Sequence, residues 1–423
     1  MAKVLIKYWV LIFLPTIILG QDSTSLDIDC LNLESMDIPM VFDLRNSDIL
    51  SPVRSQPGGG CWATASNTTV ESWWRKSGFN TQPLSDRNLQ LFHGFEENRN
   101  TYGNHFMSTA YYSRGSGPIN QNPDTDTIPF VIAEILFRNT QARYLPNNPE
   151  LIKKIIFTLG PVYTMLYFRK ADTDTISHIH YSNKEKINHA LSLVGWNDTL
   201  ATEKGKGVWI AQNSLSVAFG DSGFVYIPYQ DKNILEHNAI WPGWEPYNPN
   251  QQIYYYDTLG PIHSYGFDSP VCYGLTKFTA QKKGRIEQVS SFAHFPDTYI
   301  QAHVYRSFDE KEKLLSGLLS ESKEKHCPFS GYYTFDLSTP VYLEKDENFY
   351  VLVKYFVPDE NMPMPVEQYL EGYADPHITT GNSWINPDIE QWPNAWYEVG
   401  ANSSFIYLNF DLCIRAILIS VKE

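Results

Sequence analysis

Apolar positions recur with helical spacing from Cys61 onward. At about 100° per residue, Trp62, Ala63, Ala65, Val70, Trp73 and Trp74 share one half of the wheel. Thr64, Asn67, Thr68, Glu71 and Ser72 share the other, with Ser66 and Thr69 out of pattern. The spacing predicts a helix that opens at Cys61, on its polar side, and stops near Gly78. A second helix follows Ser85, an N-cap residue with Asp86 behind it. A third is framed by Asn148 as cap, Pro149 at the first position and Gly160 past the end. Its apolar stripe is Leu151, Ile152, Ile155, Ile156 and Leu159. From Val162 the pattern shortens to β-branched and aromatic runs: 162–168, 190–196, 208–212 and 224–227. Helices first and strands later predict an α+β fold with segregated halves. Residues 241–250 hold four Pro or Gly in ten and are read as a boundary. Beyond it the runs 286–292, 300–305, 349–357, 405–410 and 414–421 all read as strands, which predicts an all-β sandwich.

The first twenty residues stand apart. Lys3 and Lys7 precede an apolar stretch from Tyr8 to Leu19, and Gly20 offers a small residue at the cut. This is the pattern of a secretory signal peptide, residues 1–20, with an uncleaved anchor as the alternative. A short polar segment, 21–37, follows, and no later stretch is long and apolar enough for a membrane span. The 423 residues carry 33 basic and 47 acidic side chains, a net charge of −14, which disfavours nucleic acid as a partner. Apolar residues at 43% supply material for sizeable cores and argue against a disordered chain. The five cysteines, Cys30, Cys61, Cys272, Cys327 and Cys413, suggest one free thiol beside up to two disulfides. If Cys61 is the free one, the other four allow three pairings. No metal site and no cofactor is expected.

The chemistry concentrates at Cys61. A helix N-terminus presents unsatisfied N–H groups and about half a positive charge, both of which favour a thiolate. Three glycines before it let another backbone approach. The run Pro52-Val53-Arg54-Ser55-Gln56-Pro57-Gly58-Gly59-Gly60-Cys61-Trp62-Ala63 resembles the nucleophile block of the papain family of cysteine proteases. Asn188-His189-Ala190 through Gly195-Trp196 is similar to that family's histidine block, 128 residues on from Cys61 at His189. Trp209 to Ser214, followed by Phe219 to Phe224, resembles its asparagine block. The likeness covers residues 38–240. It implies Cys61 as nucleophile, His189 as general acid and base, Asn213 as the residue that orients the imidazole, and Gln56 as an oxyanion donor with the Cys61 amide. Gly60, Gly103 and Asn104 are the implied substrate-binding residues. Protein or peptide substrates follow from the same likeness.

Three departures matter. The turn from Gln56 to Cys61 is one residue shorter than the family's, and the cysteine that precedes the nucleophile is missing, with its disulfide. Leu215 stands where the family's Asn-Ser-Trp tryptophan shields the Asn–His hydrogen bond. The C-terminal part, 253–423 after a linker at 241–252, resembles a lectin-like domain through Ile253 to Gly260, Asn348 to Tyr355 and Gly381 to Trp384. A glycan ligand would use Trp384, Trp392 or Trp396 with Asn382 and Glu390, against the plainer reading that these tryptophans fill a core. Asn67, Asn197 and Asn402 fit the N-glycosylation rule. The expected architecture is a papain-like two-lobed peptidase, one lobe helical and one β, followed by a β-sandwich. The expected function is a secreted or cell-surface cysteine endopeptidase, with a lysosome-like compartment as the other location. The rivals are an inactive papain-fold adhesin that recognises glycans or surface proteins, and an acyl transferase using the same thioester.

Overall fold

The computed structural model describes residues 28, 35–79, 82–96, 102–122, 127, 135–401, 403 and 406–421. The signal-like segment, Cys30 and Asn402 lie outside the described residues. Among the described residues four α-helices form: α1 (Cys61–Lys76), α2 (Asp86–Phe92), α3 (His105–Ser113) and α4 (Pro149–Thr158). Their starts follow local chemistry. Ser85 Oγ accepts from Asn88 N at 2.9 Å, and Asn148 Oδ1 from Leu151 N at 3.1 Å. The helix α1 differs from its wheel: Cys61 to Trp74 are all buried, polar side included. Glu71, on that polar side, is matched by Arg54 at 2.8 Å and by Leu84 N at 2.7 Å. Asn67, an expected glycosylation position, is 0% exposed and bonded to Asp86 and the Tyr112 hydroxyl, so it is closed to modification in the folded chain.

The first strands are β1 (Val41–Asp43), β2 (Phe137–Leu145), β3 (Val162–Leu166), β4 (His189–Thr202), β5 (Gly205–Gln212), β6 (Phe224–Pro228), β7 (Asn238–Pro246) and β8 (Gln251–Tyr254). The later ones are β9 (His263–Tyr265), β10 (Val271–Thr279), β11 (Gly284–Ala293), β12 (Thr298–Asp309), β13 (Leu314–Glu321), β14 (Lys325–Cys327) and β15 (Ser330–Leu343). They continue with β16 (Asn348–Phe356), β17 (Met364–Glu367), β18 (Ser383–Asn386), β19 (Tyr397–Val399), β20 (Asp411–Leu412) and β21 (Ile414–Ser420). The largest sheet runs β6-β5-β4-β3-β7-β2-β15-β11-β21-β8, with β1 on β4. It therefore passes without a break from the N-terminal half into the C-terminal half, through antiparallel pairing of β2 with β15. A second sheet, β13-β12-β16-β10-β18-β19, packs over the β11, β15 and β21 end. Val289, Phe335 and Ala416 meet Ile300, Phe349 and Val353 in that sandwich core.

Three expectations are corrected, and two elements are added. The stretch 241–252, read as a linker, holds the last six residues of β7 and the first two of β8, and Trp241 and Trp244 are buried. Proline fits because the register slips there: Arg143 faces Ile240 while Gln141 faces Gly243, a bulge that takes up Pro242. Residues 406–408, part of an expected strand, form a 3₁₀ turn. Phe137–Leu145 and His105–Ser113 are elements the pattern did not announce. Among the described residues no disulfide forms; Cys61, Cys272 and Cys413 are buried free thiols, and Cys327 is buried as well.

Candidate active site

Gly60 caps α1 at a turn closed by its own N–H on Pro57 O at 2.8 Å. A Cβ on Gly60 would stand 2.8 Å from Pro57 Cγ, so only glycine allows this approach. Gln90 Nε2 donates to Gly58 O at 2.6 Å. That bond fixes the shortened turn where the family's disulfide is missing. Cys61, 5% exposed, then begins the helix. The backbone amides of Ala190, Trp62 and Cys61 bear on its sulfur and pull the thiol pKa down, but burial outweighs them and pushes it above 9.0. The helix start alone does not ionise this thiol.

The Ala190 amide ties the sulfur to β4, whose first residue is His189. Its Nε2 lies 2.8 Å from Asn213 Oδ1. Asn213 Oδ1 also accepts from Ser214 N at 2.8 Å, which fixes the oxygen end of the amide. Nε2 is then the protonated nitrogen of the neutral ring, and Nδ1 is the free base. Burial lowers the His189 pKa to about 4, although the Asn213 bond raises it. The expected thinning of the shield at Leu215 is offset from another element. The Phe168 ring lies over His189 at 4.9 Å, stacks on buried His180 at 4.3 Å, and meets Phe219 edge-on at 5.9 Å. Sequence reasoning missed Phe168, which sits in an apolar run and carries no motif.

Gln56 is placed by the residue after Asn213. Its N–H donates to Ser214 O at 2.9 Å, and its side-chain Oε1 accepts from Ser214 Oγ at 2.6 Å. The Nε2 end of the amide is the donor left over. Arg54 holds this loop from behind with bonds to Glu71 and to Asp86, the latter at 2.9 and 3.0 Å. Gly103 lies against the Trp62 indole so closely that a Cβ would stand 2.3 Å from Cε2. Asn104 caps α3 through Oδ1 and spends Nδ2 on the Tyr373 hydroxyl at 3.1 Å, so its side chain is committed, and its carbonyl accepts from Ser108 N at 3.3 Å. In the C-terminal half, Trp384 and Trp396 are core residues packed around Phe308, while Trp392 is 49% exposed beside exposed Glu390.

Residues 38–241 match the model of the papain family of cysteine proteases, and residues 253–417 that of the lectin-like domain. The chain carries a papain-family cysteine protease domain followed by a lectin-like domain. Cathepsin 7 of Rattus norvegicus is 26% identical over 233 residues, 49% of this chain and 67% of that protein. Peptidase 1 of Dermatophagoides farinae is 27% identical over 212 residues, 46% of this chain and 62% of that one. The protease and lectin-like domains of Cwp84, a surface layer associated protein of Clostridium difficile, superpose with a TM-score of 0.76 at 15% identity. That match covers 95% of this chain and 91% of the other. Cwp84 after propeptide cleavage gives 0.78 at 16% identity, over 90% and 99%. These structural likenesses carry the fold of both halves of this peptidase.

Proposed function

We propose that this peptidase is an endopeptidase that cuts protein or peptide substrates through a thioester on Cys61. The single observation that carries the reading is the 2.8 Å His189–Asn213 bond on a ring whose next residue bears on the Cys61 sulfur. In the reaction, Nδ1 of His189 takes the thiol proton as sulfur attacks the scissile carbonyl carbon. The oxyanion sits between Gln56 Nε2 and the Cys61 N–H. As the C–N bond breaks, Nδ1 returns that proton to the leaving amine, and the acyl group remains on sulfur. Water then gives a proton to Nδ1 and attacks the thioester; the proton goes back to sulfur as the acid leaves. Asn213 keeps the ring in the one tautomer that can do this.

Cys61→Ala is expected to abolish both peptide hydrolysis and labelling by an epoxide thiol inhibitor; turnover retained in that variant would end the assignment. Among the described residues no helix is long and apolar enough to cross a membrane. Secretion or display at the cell surface is supported by the signal-like segment 1–20 and by the surface association of Cwp84. For the lectin-like domain we propose a glycan ligand, with Trp392 as the aromatic face.

A further inference from the structure

Leu215, half-buried, leaves the His189–Asn213 bond without the family's tryptophan, and the Phe168 ring lies over His189 instead, at 4.9 Å. Phe168 sits where the chain leaves β3, which ends at Leu166, and residues 169–171 after it are exposed. The Asn188 side chain clamps its backbone, accepting from Phe168 N at 2.7 Å and donating to Phe168 O at 3.1 Å. Those bonds fix the main chain and leave the ring free to turn about its side-chain torsions. Phe219 meets the ring only edge-on, at 5.9 Å. His180 gives it a whole face, stacked at 4.3 Å with 27° between the planes. We propose that His180 is a positioning residue for the reaction, which holds the Phe168 ring against His189 and so keeps water from the His189–Asn213 bond. The proposal deepens the peptidase reading and rests on it.

His180 is itself held on every side. It is fully buried, and its backbone N–H donates to Tyr226 O at 2.8 Å. Its Nε2 lies 3.0 Å from Tyr167 O, and a carbonyl only accepts, so Nε2 carries the proton. Nδ1 is then the acceptor for the Thr173 hydroxyl at 3.1 Å. One neutral ring thus satisfies two buried polar groups and covers an aromatic face. Phenylalanine would supply only the face, and glutamine only the bonds. The tie to Tyr167 O also anchors the residue directly before Phe168. Among the charged groups around His180, Asp231 and Asp172 favour a cation, as does the Tyr167 carbonyl, while His189 opposes one. Burial outweighs the favourable groups and lowers the His180 pKa, so at pH 7 the ring adds no positive charge beside His189.

The readout is the acid limb of Cys61 labelling by an epoxide thiol inhibitor, which reports the protonation of His189 without turnover. His180→Ala is expected to raise that limb from about 4 toward the 6.5 of a hydrated imidazole, and kcat/KM for a peptide is expected to follow. A limb at about 6 leaves about a tenth of the labelling rate at pH 5 and nearly all of it at pH 8. His180→Gln keeps both side-chain hydrogen bonds and removes only the ring. It is expected to shift the limb as well, and it serves if the alanine variant does not fold. The deciding comparison is the double variant. If His180 acts through Phe168, adding His180→Ala to Phe168→Ala moves the limb no further. An unmoved limb in the single variants would leave His180 a purely structural role and overturn the proposal. Shifts that add in full would mean a direct effect of His180 on His189, and would overturn it too. The peptidase reading fails separately: the predicted limb shifts, with no peptide cleaved by the intact chain, would keep the role of His180 and sink that reading.

Discussion

Two opposed shifts set the proton balance at Cys61 and His189. Burial drives the thiol above 9.0 and the imidazole down to about 4. Between those limits the pair holds one proton, the number the reaction needs, whichever atom carries it. Below about pH 4 a second proton binds His189 and the base is lost; above the thiol limit no proton is left for the leaving amine. The expected pH profile of kcat/KM is therefore a broad bell with its acid limb near 4, well under the ordinary histidine value. Phe168→Ala admits water to the ring and removes part of the desolvation that lowers it, so its acid limb should move up toward 6.5; an unmoved limb would deny Phe168 its shielding role. Gln56→Ala should cut kcat by roughly 10²–10³ while Cys61 remains alkylatable. The motif residues Cys61, His189 and Asn213 were readable because their neighbours in sequence are distinctive. Ser214, Gln90 and Phe168 were not, because each acts through a contact that only the folded chain creates.

At the scale of elements, the loop bearing Gln56 depends on a buried ion cluster. Arg54 bridges Glu71 on α1 and Asp86 on α2, and Thr64 and Asn67 also donate to Asp86. Arg54→Met leaves two buried carboxylates without their cation and is expected to cost about 3–5 kcal/mol in chemical denaturation. A cost below about 1 kcal/mol would show that water replaces the guanidinium, since exposed pairs are worth that little. The elements with strong caps, α2 and α4, were legible for the same local reasons that form them. By contrast β2 runs polar from Arg138 to Arg143 and carries no strand pattern, although it is a buried strand. Part of its polarity is paired inside the molecule. Asn139 Nδ2 donates to the carbonyls of Gln141 and Gly243 at 2.9 Å, and Arg143 lies 3.4 Å over the Tyr333 ring while donating to Tyr332 O at 2.7 Å.

The whole molecule is stitched by that strand. Pairing of β2 with β15 makes one sheet of both halves, and Trp62, Tyr112 and Trp244 share a core with Phe292, Tyr332 and Cys413. Arg415 adds a buried cross-tie, bound to Asp257 and to Ser113 Oγ at the end of α3. The two halves should melt as one unit, in a single calorimetric transition, and residues 38–250 alone should aggregate because an edge strand and an apolar face are left bare. Two resolved transitions, or a soluble monomeric fragment, would contradict this. Proline and glycine at 241–250 read as a domain boundary; composition does not reveal that the bulge at Pro242 lets the chain stay in the sheet.

The most direct test of the account is the pH dependence of Cys61 alkylation in the intact protein and in His189→Ala. The account predicts rapid alkylation of the intact protein below pH 7, where His189 can take the thiol proton. The variant, left with burial alone, is expected to react only at a pH above the ordinary thiol range. Superimposable profiles would mean that the imidazole does not act on this sulfur, and the proposed mechanism would be wrong.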